Sequence, residues 1–193
     1  MLLLLKEKLD SLYNKIVIKK WKIHHESGFK VHGKLSVFNG GVCNIGSNVT
    51  IRSGFDWAVL GGYEKTRLYV AEGAELRIGD NSGISSSVLC ATDSIFVGDH
   101  VNIGAGCLIT DSDHHSLNYY NRCLAARDNN IQNKSIRIED GAFIGANSII
   151  LKGVTIGKRS IVGAGSVVTK DIPEDEIWAG NPSVFIKKID NSI

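Results

Sequence analysis

Aliphatic residues recur at every sixth position near the C-terminal end of the chain. The six positions are Ile138, Ile144, Ile150, Ile156, Val162 and Val168. An α-helix repeats about every 3.6 residues and a strand every two, so neither element explains this period. The period predicts a chain that turns a corner after each short strand and points one aliphatic side chain inward per turn. Three such corners close one triangular coil of about eighteen residues.

The same period is present earlier in the chain, in shorter blocks. These blocks are Ile45 and Ile51; Ile78, Ile84 and Cys90; and Val97, Ile103 and Ile109. Glycine and asparagine, which tolerate the backbone conformations of sharp turns, crowd the intervening positions. A β-sandwich enriched in Ile, Val and Gly by chance would not keep so many hits at one spacing. The pattern therefore predicts an all-β solenoid whose stacked coils share one interior.

The N-terminal segment, residues 1–25, has a different pattern. Leu2, Leu5, Leu9, Leu12 and Ile16 lie near helical spacing, and lysines are interspersed among them. We expect an amphipathic helix that packs on its own coil or on a neighbouring subunit, or else rests on a membrane surface. Its uncharged apolar run is too short to span a bilayer, and it lacks the cleavage pattern of a signal peptide.

The six-residue period is lost twice. The first break covers about residues 52–70 and is either an insertion or a degenerate coil. The second separates Ile109 from Ile138, which lie 29 residues apart, and 29 is not a multiple of six. This break predicts a loop over about 112–135 that protrudes from the solenoid, and loops of that length are usually functional or disordered.

The start of this loop is rich in groups that take part in catalysis. It contains Asp111, Asp113, His114 and His115 within five residues. An imidazole suits proton removal from an alcohol near neutral pH, and a carboxylate or carbonyl can orient its ring. The same groups are metal ligands, so a zinc site that also uses His100 is an alternative. A solvated polar loop without chemistry is the third interpretation.

Composition narrows the class of protein. A chain of 193 residues fits one domain, and its net charge of +2 gives no reason to expect a nucleic-acid partner. The four cysteines form no CxxC pair, which indicates reduced thiols in a cytoplasmic protein. They are Cys43, Cys90, Cys107 and Cys123, and the spacing places Cys90 and Cys107 at inward positions.

Two phrases between residues 136 and 189 are typical of one family. They are GVTIGKRSIVGAGSVVTKDIP and, shortly after it, AGNP. By these phrases the chain resembles the hexapeptide-repeat acyltransferases, enzymes built on a left-handed parallel β-helix. The resemblance supplies the handedness, since parallel crossovers are otherwise almost always right-handed. It implies an N-terminal helix over 1–25, a catalytic β-helix over 26–180 and a short C-terminal cap over 181–193.

The resemblance also implies a chemistry for the loop. Polysaccharide O-acetyltransferases of this family carry Asp-[Ser/Thr]-Asp-x-His-Ser at its mouth, which here falls on residues 111–116. By this match His115 is the general base and His114 the alternative, while Asp113 or Asp111 orients the ring or binds substrate. The implied reaction is direct transfer of an acetyl group from acetyl-CoA to a hydroxyl of a sugar or cell-surface glycan precursor. Backbone N–H groups would stabilise the oxyanion, and no metal is required.

The coenzyme positions follow from the same resemblance. In this family coenzyme A lies in a groove between two solenoids, which implies a homotrimer. The positions that match its site are Phe143, Ala146, Gly163, Ala164, Thr169 and Lys170, with Lys187 as a further candidate. Many relatives have Trp where this chain has Phe143, which keeps an apolar wall but loses the indole donor. Lys170 and Lys187 are candidate partners of the nucleotide phosphates.

The acceptor is the least determined part of the prediction. Trp57 and Tyr119 are candidate sugar contacts, with Tyr63 and Tyr120 as further aromatic platforms. The alternatives to O-acetylation are N-acetylation of an amino sugar, a zinc carbonic-anhydrase-like activity and a non-enzymatic trimeric scaffold. The scaffold alternative predicts no coenzyme binding. We expect a cytoplasmic enzyme of polysaccharide biosynthesis.

Overall fold

The computed structural model describes residues 2–57, 60, 65–123, 128 and 130–190. The helices are α1 (Leu2–Lys20) and α2 (Tyr119–Cys123). The strands are β1 (His24–His25), β2 (Lys30–Gly33), β3 (Ser36–Asn39), β4 (Val42–Ile45), β5 (Thr50–Ser53), β6 (Arg67–Val70), β7 (Glu75–Ile78), β8 (Gly83–Ser85), β9 (Val88–Ala91), β10 (Ser94–Val97), β11 (Asn102–Ile103), β12 (Leu108–Thr110), β13 (Ile136–Ile138), β14 (Phe143–Ile144), β15 (Ile149–Ile150), β16 (Thr155–Ile156), β17 (Ile161–Val162), β18 (Val167–Val168), β19 (Glu176–Ala179) and β20 (Val184–Lys188).

Strands that follow one another along the chain lie in different sheets. The first sheet has the order β1-β4-β7-β10-β13-β16, the second β2-β5-β8-β11-β14-β17-β19-β20 and the third β3-β6-β9-β12-β15-β18. Among the described strands, each pair is parallel except β19 with β20. The first eighteen strands therefore make six triangular coils, which is the predicted parallel β-helix with its N-terminal helix, protruding loop and C-terminal cap.

The interior consists of aliphatic columns in register. Val97 pairs with Ile138, and Ile138 pairs with Ile156 one coil further on, so successive coils place their inward side chains directly above one another. These three side chains are at most 3% exposed. Burying an aliphatic side chain of this size stabilises the fold by roughly 1.5–3 kcal/mol. Each coil realises this only with neighbours above and below it, so the stack stabilises itself cooperatively.

One inward position predicted from the sequence is wrong. Cys90 is only half-buried and lies on the outer side of β9, whereas Leu89 and Ala91 point into the core. The corner between Ile84 and Leu89 is one residue shorter than the one between Ile103 and Ile109, and Ser86 absorbs the change with φ of 38°. Cys107 is buried in the core, as the spacing predicts.

The three edges of the prism differ in construction. We call the corner between the first and second sheets the first edge, that between the second and third sheets the second edge, and that between the third and first sheets the third edge. The first edge repeats most regularly: seven successive corner residues have a left-handed backbone. They are Gly28, Asn48, Asn81, His100, Gly141, Arg159 and Asp175, with φ between 56° and 76°. Side chains of Asp80, Asp99 and Asp140 each accept a backbone N–H from the preceding coil.

The two ends of the solenoid are covered differently. Helix α1 lies on the first coil and contacts β2 and β3. At the other end the chain reverses, and β20 pairs antiparallel with β19 at the margin of the second sheet. The predicted boundaries at residues 25 and 180 stay predictions.

Candidate active site

The loop leaves the third edge after Thr110 and returns at Ile136. Its neck is closed by backbone contacts between its two arms. Ser112 bridges Asn133 in antiparallel fashion, the N–H of Asp113 donates to Gln132 O at 3.1 Å, and that of Lys134 donates to Asp111 O at 2.8 Å. The solenoid therefore meets the loop at a fixed junction and resumes its period on the far side.

Asp111 is a structural residue of this junction. Its carboxylate accepts hydrogen bonds from the backbone N–H and hydroxyl of Thr92, both at 2.8 Å, and from the N–H of Asp93 at 2.9 Å. The residue has no exposed surface. The predicted contact between Asp111 and an acceptor does not fit this geometry, because the carboxylate is turned towards the preceding coil and its acceptor capacity is used there.

His115 carries the arrangement expected of a general base. Its Nδ1 lies 3.0 Å from Oδ2 of Asp128, whose Oδ1 accepts the backbone N–H of Ser116 at 2.9 Å. The His115 side chain is 74% exposed, whereas that of Asp128 is 8% exposed. A carboxylate at Nδ1 holds the proton on that nitrogen and leaves Nε2 as the acceptor. The ring thus offers an unprotonated nitrogen outside the solenoid, and a shielded anion orients it.

Sequence reasoning missed Asp128 as the orienting group. The residue follows His115 by thirteen positions in a polar stretch without periodicity, so no spacing rule selects it. Asp113, predicted for this role, instead pairs through Oδ1 with Lys152 Nζ at 2.8 Å. Its Oδ2 is buried and has no hydrogen-bond partner among the described residues. Asp113 therefore links the loop to the next coil, and the prediction that it orients the base does not fit the structure.

His114 is held differently from its neighbour. It has a left-handed backbone, with φ of 58°, and its N–H donates to Ser112 Oγ at 2.9 Å. Its Nε2 lies 2.8 Å from Thr110 Oγ1, a buried neutral hydroxyl at the end of β12. The ring is thus tied back to the solenoid, and no carboxylate of the described residues pairs with it. Of the two candidate bases, the geometry favours His115.

The predicted coenzyme positions are divided between edges of the prism. Ala146, Gly163 and Ala164 lie at corners of the second edge, and Phe143 lies half-exposed on the outer face of the second sheet. A Cβ at Gly163 would come within 2.8 Å of the Ala179 Cβ, so glycine is needed there for close stacking.

The remaining coenzyme positions lie elsewhere. Thr169 and Lys170 follow β18 on the third edge, the edge from which the loop projects, and Lys187 lies in β20. The third sheet separates the second edge from His115 within one chain.

The predicted acceptor contacts are also divided. Tyr119 opens α2 in the same loop as His115, and its exposed ring meets that of Tyr120 edge to face at 5.4 Å between centroids. Asn118 Oδ1 caps this short helix by accepting the N–H of Tyr120 at 2.9 Å. Trp57 follows β5 at the second edge, two coils before the loop, with its ring 5.5 Å from that of His32. Tyr63 lies outside the described residues.

The histidines of the zinc alternative do not meet within one chain. His100 lies at a corner of the first edge, whereas His114 and His115 lie on the third. Among the residues that the structure describes, no group of three or more His, Cys, Asp or Glu side chains is placed to hold a metal ion. The prediction that no metal is required stays a prediction.

Comparison with known proteins agrees with this fold. Residues 135–170 match the family described as hexapeptide repeat of succinyl-transferase. A hexapeptide-repeat-containing acetyltransferase from Vibrio cholerae, solved with acetyl coenzyme A, superposes with a TM-score of 0.61 and 26% identity, over 96% of this chain and 81% of that one. The chain is similar to the hexapeptide-repeat acyltransferases, in its repeat over residues 135–170 and in its fold over nearly the whole chain, and the predicted left-handed parallel β-helix is confirmed.

Two relatives named for specific acetyl-transfer activities match over shorter stretches. A galactoside O-acetyltransferase from Lactococcus lactis is 42% identical over 98 residues, which is 51% of this chain and 45% of that protein. A 2,3,4,5-tetrahydropyridine-2,6-dicarboxylate N-acetyltransferase from Clostridium perfringens is 55% identical over 53 residues, which is 28% of this chain and 22% of that protein. The chain thus spans less than half the length of these two relatives, one of which acylates oxygen and the other nitrogen.

Proposed function

We propose that this protein is an acetyl-CoA-dependent O-acetyltransferase that modifies a hydroxyl of a sugar or cell-surface glycan precursor in the cytoplasm. The observation that carries the proposal is the pair formed by His115 and the shielded carboxylate of Asp128 on an exposed loop. A scaffold has no need of such a pair, whereas a transferase needs a base with one nitrogen open to its substrate.

The residues of the loop account for the proton movements of direct transfer. As the acceptor oxygen attacks the thioester carbonyl, Nε2 of His115 takes the hydroxyl proton, and Asp128 stabilises the imidazolium that forms. The tetrahedral oxyanion is stabilised by donors such as backbone N–H groups. When it collapses, the C–S bond breaks, and the imidazolium returns the proton to the departing thiolate. The products are the acetyl ester and free coenzyme A.

The division of the predicted site between two edges supports an oligomer. His115 lies on the third edge, while Ala146, Gly163 and Ala164 lie on the second. One chain cannot bring both sets to the same acetyl group, because the third sheet lies between them. A ring of three chains would place the loop of each beside the second edge of the next. We therefore propose a homotrimer with three shared sites.

A hydroxyl is the preferred acceptor. The longer of the two described matches is to a galactoside O-acetyltransferase, and the exposed rings of Tyr119 and Tyr120 share the loop with the base. Aromatic faces of this kind suit the apolar side of a sugar ring. The match to an N-acetyltransferase keeps an amino sugar as the second candidate.

The direct test is incubation with isotopically labelled acetyl-CoA and matched acceptors that differ only in a hydroxyl or an amino group. Mass spectrometry then reads the labelled product. Labelled ester that withstands chelator treatment of the enzyme supports the proposal. Labelled amide alone would replace it with N-acetylation, loss of activity on chelation would favour the metal site, and absence of coenzyme binding would favour a scaffold.

A complementation experiment tests the shared site. One variant, His115→Ala, lacks the base, and the other, Ala164→Trp, blocks the second edge; each alone should be inactive. Co-expressed in equal amounts, they should regain about a quarter of the wild-type activity, because a shared site needs one intact contribution from each of two chains. No recovery in mixed trimers would show that each site belongs to a single chain.

A further inference from the structure

Helix α1 is docked on the solenoid through two buried polar residues, Asp10 and Asn14, and through Ile18, which packs against the core. Asn14 is buried; its Nδ2 donates to Gly33 O at 2.7 Å, and its Oδ1 accepts the N–H of Leu35 at 3.0 Å. Asp10 is also buried, with Oδ1 3.9 Å from Lys34 Nζ. These contacts satisfy backbone groups that the first coil leaves open, since it has no coil before it. The docking therefore uses polar atoms along most of the helix and an apolar contact of Ile18 near its C-terminal end.

The opposite side of α1 is an apolar stripe. Its members are Leu5, Leu9, Leu12 and Ile16, each between 57% and 61% exposed. They follow one another at intervals of four, three and four residues, so they lie on one face of the helix. Leu5 and Leu9 also line a cleft of about 470 Å³ together with the aromatic residues Phe55 and Trp57. Exposed apolar surface that is continuous in this way usually marks a docking site.

The charged residues of α1 beside this stripe are lysines, of which Lys6 is paired with Asp56 after β5. Lys8, Lys15 and Lys19 lie along one border of it, and Lys20 lies along the other. The two acids of the helix, Glu7 and Asp10, face the solenoid, where they lie near His32 and Lys34. The outward half of α1 thus has aliphatic and basic residues without an acid. This is the distribution of a helix that lies at the surface of an anionic bilayer.

A second copy of helix α1 fits the apolar stripe less well than an anionic bilayer does. The spacing of the leucines would allow a coiled coil, in which Lys8 and Lys15 take one set of flanking positions and Lys6 and Lys20 the other. Two or three such helices would bring lysines opposite lysines at their borders, which disfavours pairing. Among the described residues, no helix is long and apolar enough to cross a membrane.

We propose that the outward stripe of α1 binds the surface of an anionic lipid bilayer and holds the end of the solenoid that carries β1–β3 against it. The leucines enter the boundary between headgroups and acyl chains, while the bordering lysines contact lipid phosphates. This proposal does not depend on the acyl-transfer chemistry.

The test is co-sedimentation of the full chain with vesicles of phosphatidylcholine alone and of phosphatidylcholine mixed with phosphatidylglycerol. We expect binding to the mixed vesicles that weakens as salt is raised. The double variant Leu9→Ser/Leu12→Ser should bind at least about tenfold more weakly, since it removes two large apolar groups from the contact. The pair Lys8→Glu/Lys15→Glu should lose about as much on the mixed vesicles only.

The matched control is Val184→Ser/Ile186→Ser, which removes two exposed apolar side chains at the other end of the solenoid. It should bind vesicles as the wild type does. Thermal melting and light scattering of all variants report folding and oligomeric state. The proposal is overturned if the wild type does not bind the mixed vesicles, or if the leucine variant binds them as the wild type does. It is equally overturned if that variant dissociates into monomers without the wild type having bound lipid, because the stripe is then a subunit contact.

Discussion

The first and third edges of the prism use the same residue types for different purposes. On the first edge His100 supplies a left-handed backbone, and Asp140 accepts the N–H of Asp99 in the coil before it. On the third edge Asp111 serves its neighbouring coil in the same way, but the chain then leaves the solenoid, and there His115 meets Asp128. Where the period is kept, these residues maintain the corner. Where it is broken, they become available for chemistry.

The largest expected difference in the rate of acetyl transfer is between variants of His115 and His100. His115→Ala should lower the rate of acetyl transfer by about 10²–10⁴, the usual contribution of a positioned general base. His100→Ala should leave the rate within twofold, since only its backbone conformation matters to the corner. Steady-state kinetics with labelled acetyl-CoA measures both. Equal losses in the two variants would remove the distinction between the edges, and a loss confined to His114→Ala would identify the other ring as the base.

The next difference concerns the two aspartates that support corners. Asp111→Ala removes the buried acceptor of two N–H groups and a hydroxyl at a partly buried junction, and each lost hydrogen bond costs up to roughly 1–3 kcal/mol. The melting temperature should fall by several degrees or more. Asp140→Ala removes an exposed acceptor of one N–H and should change it little. Calorimetry measures the melting temperatures of the two variants, and similar values would contradict the structural role of Asp111.

The orienting carboxylate should have a smaller effect than the base it holds. Asp128→Asn keeps the shape and one acceptor oxygen but loses the charge that stabilises the imidazolium. We expect kcat to fall about tenfold with KM nearly unchanged, as for loss of a group that acts through another. Asp113→Asn serves as the comparison, because its carboxylate pairs with Lys152. An equal fall in both would mean that Asp128 acts through general loop stability.

The smallest expected effect is a pH dependence on the first edge. The pKa of Asp140 lies below its ordinary value of 3.8 because its charged form accepts the N–H of Asp99 and faces Lys158. Its stabilisation is therefore present above that ordinary value and is lost as the pH falls through the lower, folded-state pKa. Asp140→Asn should reduce the difference in melting temperature between pH 6 and pH 3. An unchanged difference would exclude this contribution.

The regular part of the molecule could be predicted because each coil repeats one local rule. An inward aliphatic residue every sixth position defines the strand, the corner and the stacking at once, and the same register locates the loop where it fails. The resemblance of residues 111–116 to a family motif then singles out His115 within that loop. The prediction for Cys90 is wrong because the corner between Ile84 and Leu89 is one residue shorter than the corner between Ile103 and Ile109. Periodicity alone cannot locate a one-residue deletion that a turn accommodates.

Other features depend on contacts that no period records. Asp128 meets His115 only when the loop closes, and Asp111 turns inward because Thr92 and Asp93 offer donors there. The hydrophobic pattern of α1 predicts which residues share one face of the helix, but not which face packs on the solenoid. The helix meets the open end of a sheet stack, where unpaired backbone groups favour Asn14 over the leucines.

The closed neck of the loop has a consequence for how such a protein can diversify. Because the two arms join between Asp113 and Gln132, the coils on either side keep their register whatever the length of chain beyond that junction. Insertions, deletions or replacement of the segment beyond this junction need not change the register of the coils. A loop of another length or sequence therefore leaves the stacked coils and their aliphatic columns in place.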